Sequence, residues 1–423
     1  MLAAPIHPDQ EQLARLEALL PRWRQVPLYR GPLGGCGLPG LGCFQQLPLL
    51  GKPAMRENFP HNFLQPELSL EMLLAEKVVE LEHTSGTTSE RLPVIFARGW
   101  WDEQEQRALR LNPQVAQILA AQPEARRATL TAPNCNGFTC PTGWMPLAQR
   151  IIGRSLFVNL ARIPFLLAEA ELARMAAEIL EWEPVFLDTD PVHAVWFARY
   201  CERHGLRFPS LKFILCSYEF VSTVHKQILA RVFGVPVFNL YGSTETGHLL
   251  MEDTAGAMVP SRETAFLELS QPDAAGIGDL VVTTLSNDFM PLLRYRIGDL
   301  AQAIPTAGGV RYLIHGRAKD ALTDTAGARV TTWQVDQLFA DMAGILHYEL
   351  RQTGEGSYEL RYIPDAVPPT ADSLAELRKK LGELLKFTGT IPVTSLNTLV
   401  PAASGKFRLT CRTEPEVPVR SGN

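Results

Sequence analysis

"PVFLDTDPVHAVWFARYCERHGLRFPSLKFILCSYEFVSTVHKQILARVFGVPVFNLYGSTETG", residues 184–247, alternates two kinds of segment. The short apolar runs "PVFLDT", "LKFILCS" and "VPVFNLYG" read as strands. Between them, "PVHAVWFARYCERHG" and "VSTVHKQILARVFG" carry apolar residues at helical spacing, and the first of these closes on a glycine. Strands separated by helices predict a parallel sheet built from βαβ crossovers. Such sheets bind ligands at the carboxyl ends of their strands. The polar loops "SYEF" and "YGSTETG" lie at two such ends.

The same texture extends toward the N-terminus. "QEQLARLEALLPRW" predicts a helix, and "LYRGPLGGCGLPGLG" is too rich in Gly and Pro for a helix or a long strand. "PVIFA" predicts a strand, "WWDEQEQRALRLNPQVAQILAAQ" an amphipathic helix, "RRATLTAP" a strand and "AEAELARMAAEILEWE" a helix. After about residue 260 the pattern changes to strands joined by short turns, "TAFLEL", "GDLVVTTL" and "PLLRYRIGDLA". A boundary is expected at "LIHGRAKD". Beyond it, "QVDQLFADMAG" (helix), "HYELRQTGEGSYELRYI" (hairpin) and "SLAELRKKLGELLKF" (helix) make a small α+β unit. The expectation is an α/β protein with a large domain over residues 1–316, holding parallel and mixed sheets with helices, and a small α+β domain over residues 317–423.

Composition sets outer limits. A chain of 423 residues, 46% hydrophobic and 20% charged, is long enough for two or three well-filled units. A formal net charge of -5 gives no general attraction to nucleic acid or anionic membranes. No run reaches the roughly 18–20 apolar residues of a membrane span, and the N-terminal stretch lacks the basic region of a signal peptide. Seven scattered cysteines, an odd number without a framework, suit reduced thiols and a cytoplasmic location.

Five polar motifs stand out. In "HTSGTTSE", Thr84, Ser85, Gly86, Thr87 and Thr88 offer N–H groups and hydroxyls to a phosphate chain, although the order is not that of a Walker loop. Read alone, the stretch is equally at home as a surface turn. In "YGSTETG", Tyr241 can stack on a flat heterocycle and Gly242 keeps the floor open. Ser243 and Thr244 can bond phosphate oxygens, and Glu245 can serve Mg²⁺. Asp299 in "RYRIGDL" can accept ribose hydroxyls. Arg317 and Lys319 lie in "HGRAKD" at the expected junction. Lys406 follows Gly405 in "SGKFR", a compact cation able to reach a carboxylate and a phosphate together. Each motif by itself also reads as an ordinary solvated turn or surface charge.

The order TSGTT, YGSTE, RYRIGD, GR, SGK resembles the adenylate-forming (ANL) superfamily of acyl- and aryl-CoA synthetases, carrier-protein adenylation domains and luciferases. "VPLYR", "LPLLGKPAMRENFP" and "GDLVVTTLSNDFMPLLRYRIGDL" are similar to the phenylacetate-CoA ligase-like branch, and the resemblance covers most of the chain. It implies ATP-dependent activation of an aromatic carboxylic acid, of hydroxybenzoate or phenylacetate type, to an acyl-AMP. Transfer to the thiol of CoA or of an acyl carrier protein's phosphopantetheine would follow. By the same resemblance, residues 84–88 cradle the ATP phosphates. Ser217, Tyr218, Glu219 and Tyr241 flank the adenine, and Thr244 and Glu245 serve phosphate and Mg²⁺. Asp299 and Arg317 hold the ribose, Lys319 is the hinge of a mobile C-terminal domain, and Lys406 bridges the acid and the α-phosphate. The acid pocket is expected to draw on Phe138, Trp144, Tyr218, Gly242 and His248, with Asn134 and Asn136 as further polar candidates.

Two departures from the family pattern bear on these expectations. Ser89 stands where the phosphate loop usually continues with Gly, and the loop "DTAGARV" carries Gly327 alone. Two other readings of the same fold follow: an adenylyltransferase that forms no thioester, and a non-catalytic nucleotide-binding relative.

Overall fold

The computed structural model describes residues 8–34, 44, 46–84, 91–131, 145–159, 161–402 and 404–413. These form two compact units. The first takes the described residues up to Ala125 together with Phe238–Ile314. The second takes the described residues from Arg126 to Val237 together with those from His315 onward. Among the described residues no helix is long and apolar enough to cross a membrane.

In the first unit, Gln10–Trp23 is a helix started by the Asp9 carboxylate, which accepts from the Gln12 N–H at 2.8 Å. Leu16, Leu20 and Trp23, at helical spacing, are buried. Within the Gly/Pro-rich stretch, Arg30–Gly34 makes one short helix, started by the 3-10 turn Pro27–Tyr29. The expectation of no helix there is corrected for that turn: proline is tolerated where the chain needs few intrahelical N–H bonds. The helix expected over residues 100–122 is two helices, Trp100–Leu109 and Pro113–Ala121. Pro113 cannot donate to the preceding turn, and the Asn112 side chain caps the second helix through the Val115 N–H.

The unit's strands are largely antiparallel. Ala265–Ser270 pairs with Ile277–Thr284, which pairs with Tyr295–Thr306; Val237–Ser243 pairs with Gly247–Glu252, which pairs with Met258–Pro260. A separate pair joins Val79–His83 to Pro93–Ala97. The core between sheet and helices includes Leu250, Leu280, Val282, Leu292 and Tyr295, with Phe96 stacked on Trp100.

In the second unit the expected parallel sheet is present, in the order Phe213–Cys216, Phe186–Thr189, Arg127–Thr129, Ser155–Phe157. "FLDT" and "FILC" are buried at every position, as strands covered on both faces must be. Helices Glu169–Trp182, Pro191–Arg203 and Thr223–Phe233 supply that cover. A second sheet, ordered Val393–Ser395, Ser357–Pro364, Ile345–Gly354, Thr410–Arg412, packs with helix Ala371–Leu385. The helix expected over "QVDQLFADMAG" is confined to Thr332–Gln337, opened by a capping box of Thr331 and Gln334.

A buried polar knot ties this second sheet to helix Thr223–Phe233. The Asp336 carboxylate accepts from the Ser222 hydroxyl (2.5 Å), the Thr223 N–H (2.9 Å) and the Tyr348 hydroxyl (2.7 Å). Beside it, His225 and His347 face each other with 3.2 Å between ring nitrogens.

Candidate functional site

In the first unit the "YGSTETG" loop is the tip of a hairpin: strand Val237–Ser243 turns directly into Gly247–Glu252, with Ser243 opposite Gly247. The loop lies at the carboxyl end of its strand, as expected, and the next strand pairs back on that strand, so the loop is also an antiparallel turn. Both glycines are steric necessities. A Cβ on Gly242 would lie 2.2 Å from the Gly247 carbonyl oxygen, and one on Gly247, which has φ +73°, would meet the Trp100 ring at 2.8 Å. Ser243 and Thr246 share a hydroxyl–hydroxyl bond at 2.9 Å across the turn, and Thr244 is half-buried between them.

Two expected nucleotide ligands meet here. The Tyr241 hydroxyl donates to Asp299 Oδ2 at 2.7 Å, so ring and carboxylate form one fixed pair. Asp299 follows Gly298, whose φ is +93°. Glu245 is buried; its Oε1 accepts from the Tyr295 hydroxyl at 2.7 Å and lies 3.9 Å from Lys52 Nζ. Among the described residues no cluster of three metal-ligating side chains occurs. A lone carboxylate suits an ion that draws most of its shell from water and phosphate oxygens, which is the habit of Mg²⁺. His248 is buried with its ring 4.7 Å from that of Trp101.

Thr84 stands at the base of the hydroxyl-rich loop. Its N–H donates to the Leu92 carbonyl, and its hydroxyl oxygen accepts from the Leu92 N–H, both at 3.0 Å. The residue thus staples the two ends of the loop. Ser85, Gly86, Thr87, Thr88 and Ser89 lie outside the described residues, as do Asn134, Asn136, Phe138 and Trp144.

In the second unit the carboxyl ends of the parallel strands gather a dense set of polar groups. Asp188, on strand Phe186–Thr189, accepts from the Ser217 hydroxyl at 3.0 Å and the Tyr218 hydroxyl at 3.1 Å. Tyr218 is held at φ +72°, a conformation costly for a residue with a Cβ. Its carbonyl accepts from Lys406 Nζ at 2.5 Å, and the next residue, Glu219, accepts from the Phe407 N–H at 2.7 Å. The "SGKFR" turn is closed by Gly405 N–H to Ala402 O and Ala402 N–H to Lys406 O, both at 2.8 Å, with Gly405 at φ +87°. Two residues 188 positions apart in sequence are thereby brought together. Arg317 ends strand Gly309–Arg317, and Lys319 is exposed in the 3-10 turn Ala318–Asp320.

Burial and the negative charge of Asp190 push the Glu219 carboxyl well above the usual carboxylate range, against the pull of Lys406 and the Phe407 N–H. Asp190 itself caps helix Pro191–Arg203, accepting from the N–H groups of Val192 (2.8 Å) and His193 (3.3 Å). The His193 ring meets the Asn159 amide at 2.7 Å, and burial holds its pKa below the ordinary value. Asp188, Asp190, His193 and Asn159 were not expected from sequence. The stretch "FLDTDP" did hold a signal: Asp before Pro at the start of a helical pattern is an N-cap signature, and it places two carboxylates at one strand end.

No family model matches the chain. Two curated proteins do, both phenylacetate-coenzyme A ligases. That of Pseudomonas putida is 25% identical over 406 residues, covering 89% of this chain and 86% of its own length. That of Thermus thermophilus is 25% identical over 380 residues, covering 83% and 79%. Among solved structures, a 2-hydroxyisobutyryl-CoA ligase in complex with 2-HIB-AMP superposes with a TM-score of 0.70 at 17% identity, covering 96% of this chain and 90% of that one. An anthranilate CoA ligase in complex with anthranoyl-AMP gives 0.54 at 15% identity, covering 78% and 66%.

Proposed function

We propose that this chain, which has the fold of the adenylate-forming ligases and is a relative of the phenylacetate–coenzyme A ligases, activates a carboxylic acid with ATP and passes the acyl group to the thiol of CoA. The observation that carries this reading is the docking of the "SGKFR" turn on "SYEF", which delivers Lys406 to the carboxyl ends of the parallel strands. That is where an open α/β sheet binds its ligand.

A carboxylate is a poor electrophile at neutral pH. Attack of its oxygen on the α-phosphate of ATP forms an acyl-AMP and expels pyrophosphate, and negative charge crowds at the reacting phosphorus. The ammonium of Lys406 would lie against the acid and the α-phosphate and offset that charge. Thr84 would hold the base of a phosphate loop that includes Ser85, Gly86, Thr87 and Thr88. Tyr241 and Asp299, already bonded to each other, would present one ring face and one carboxylate to adenosine, with Ser217, Tyr218, Glu219 and Arg317 as the further nucleotide contacts. Glu245 would hold Mg²⁺, which supplies charge neutralisation on phosphate oxygens when bound. The acid would be aromatic, of phenylacetate or hydroxybenzoate type, with Phe138, Trp144, Tyr218, Gly242 and His248 as the side chains and backbone assigned to its recognition. A carrier-protein phosphopantetheine is the other acceptor to be compared with CoA. Residues 317–423 would turn about Lys319 between the half-reactions and withdraw Lys406 so that a thiol can enter.

The test is acid-dependent exchange of pyrophosphate into ATP, run over benzoates, phenylacetates and cinnamates, followed by CoA and a holo carrier protein in parallel. Exchange with one aromatic acid class is expected. Lys406→Ala should lower exchange by at least about 100-fold while transfer from supplied acyl-AMP persists. No exchange with any acid would overturn the reading.

A further inference from the structure

The Lys406 turn is held by more than the lysine. Its next residue, Phe407, gives its N–H to Glu219 Oε1 at 2.7 Å, and the Phe407 ring is buried edge-on against Phe165 and His347. The negative charge of Asp190 also acts on Glu219 and, with burial, pushes its carboxyl well above the usual carboxylate range, so two carboxyl groups influence each other under the turn. Two carboxyls that act on each other in a buried site repel when both are ionised, and a proton on Glu219 removes that repulsion. The Asp190 end of the pair already receives two helix N–H groups, and the Glu219 end receives Phe407. With that proton in place, the pair and Lys406 together are electrically neutral.

We propose that Glu219, paired with Asp190, is a positioning residue that latches the Gly405–Phe407 turn through the Phe407 N–H and so sets Lys406 for the first half-reaction. This rests on the function proposed above and gives Glu219 a task other than flanking adenine. Tyr218 contributes the second point of attachment, its carbonyl on Lys406 Nζ, and Asp188 secures Tyr218 by its hydroxyl. The latch is proton-linked. The charged groups that act on Glu219 are Asp190 and Lys406. As pH rises through the raised range of Glu219 its proton is lost, the two carboxylates repel, and the turn is released.

Hydrogen exchange at the Phe407 amide, read in the full chain without substrate, is the first measurement. Wild type should be protected, Glu219→Ala should exchange at least about tenfold faster, and Glu219→Gln, whose neutral amide can accept from Phe407, should recover the protection. Protection in wild type should fall as pH rises, and in Glu219→Gln it should lose that dependence beyond the intrinsic rate. In pyrophosphate exchange, Glu219→Ala should lower kcat about tenfold or more with the KM for ATP little changed, and Glu219→Gln should restore most of the loss. An unchanged Phe407 amide in Glu219→Ala overturns the latch whether or not any acid is activated. A raised KM for ATP with unchanged kcat overturns it in favour of the adenine contact. Failure of Glu219→Gln to rescue overturns the role of the Glu219 proton. Absence of exchange in wild type with every acid, alongside the expected amide behaviour, would fail the ligase reading and leave the latch standing as a docking contact.

Discussion

Acid should loosen the second unit through its buried histidine pair. His225 is 0% exposed and His347 1%, with 3.2 Å between Nε2 of one and Nδ1 of the other. Burial takes the His225 pKa from 6.5 down to about 3; His347 lies well below its ordinary value, by burial and by its neighbour's charge. A histidine kept neutral in the fold but free to protonate when unfolded gives stability that is complete above pH 6.5. That stability drains as pH falls from there toward about 3. For His225 the loss reaches about 2 kcal/mol by about pH 5, and His347 adds a loss of the same sign. The raised carboxyls of Asp336 and Glu219 work the other way, gaining stability as pH falls. A wild-type curve alone would therefore mix the two effects, and the comparison with His225→Leu isolates the histidine. Urea unfolding of both proteins, followed by a probe in the second unit, should find the variant weaker by about 1 kcal/mol near pH 7.5, having lost one buried hydrogen bond. Near pH 5 the order should reverse by about 1 kcal/mol, the difference of these two terms. A gap between the two proteins that does not change with pH would refute the buried neutral histidine.

Three further outcomes are expected. Gly242→Ala forces a Cβ to within 2.2 Å of the Gly247 carbonyl and should cost at least about 2–3 kcal/mol, read as a lowered Tm or loss of soluble protein. Asp336→Ala leaves the Ser222 and Tyr348 hydroxyls and the Thr223 N–H without their shared acceptor. It should cost about 3 kcal/mol in urea unfolding, with Asp336→Asn milder because the amide keeps one acceptor. Thr84→Val removes the acceptor of the buried Leu92 N–H and should raise the KM for ATP several-fold. Thr84→Ser should restore it, and an equal KM in all three proteins would separate the staple from nucleotide binding.

Much of the candidate site was legible because its motifs are local. "SYEF" and "SGKFR" each announce a loop with charge or hydroxyl at a fixed place, and their order along the chain carried the resemblance. What stayed hidden were groups whose role depends on a partner far along the chain. Asp188 reads as one more polar residue after a strand until Ser217 and Tyr218 are seen to converge on it. His225 reads as a polar member of an amphipathic helix until His347, 122 positions away, is found against it.

By itself the sequence determined the alternation of strands and helices over residues 184–242, the helix starts at Gln10 and Pro191, and the hairpin around "TGEG". Each follows from periodicity, capping and turn chemistry acting over a few residues. Only the tertiary structure decided that "YGSTETG" is a hairpin turn and that residues from His315 onward pack with residues 126–237 as one unit. The reason is physical. Local rules set backbone conformation, whereas burial, strand pairing and the neutralisation of buried carboxyls and histidines depend on which distant surfaces meet.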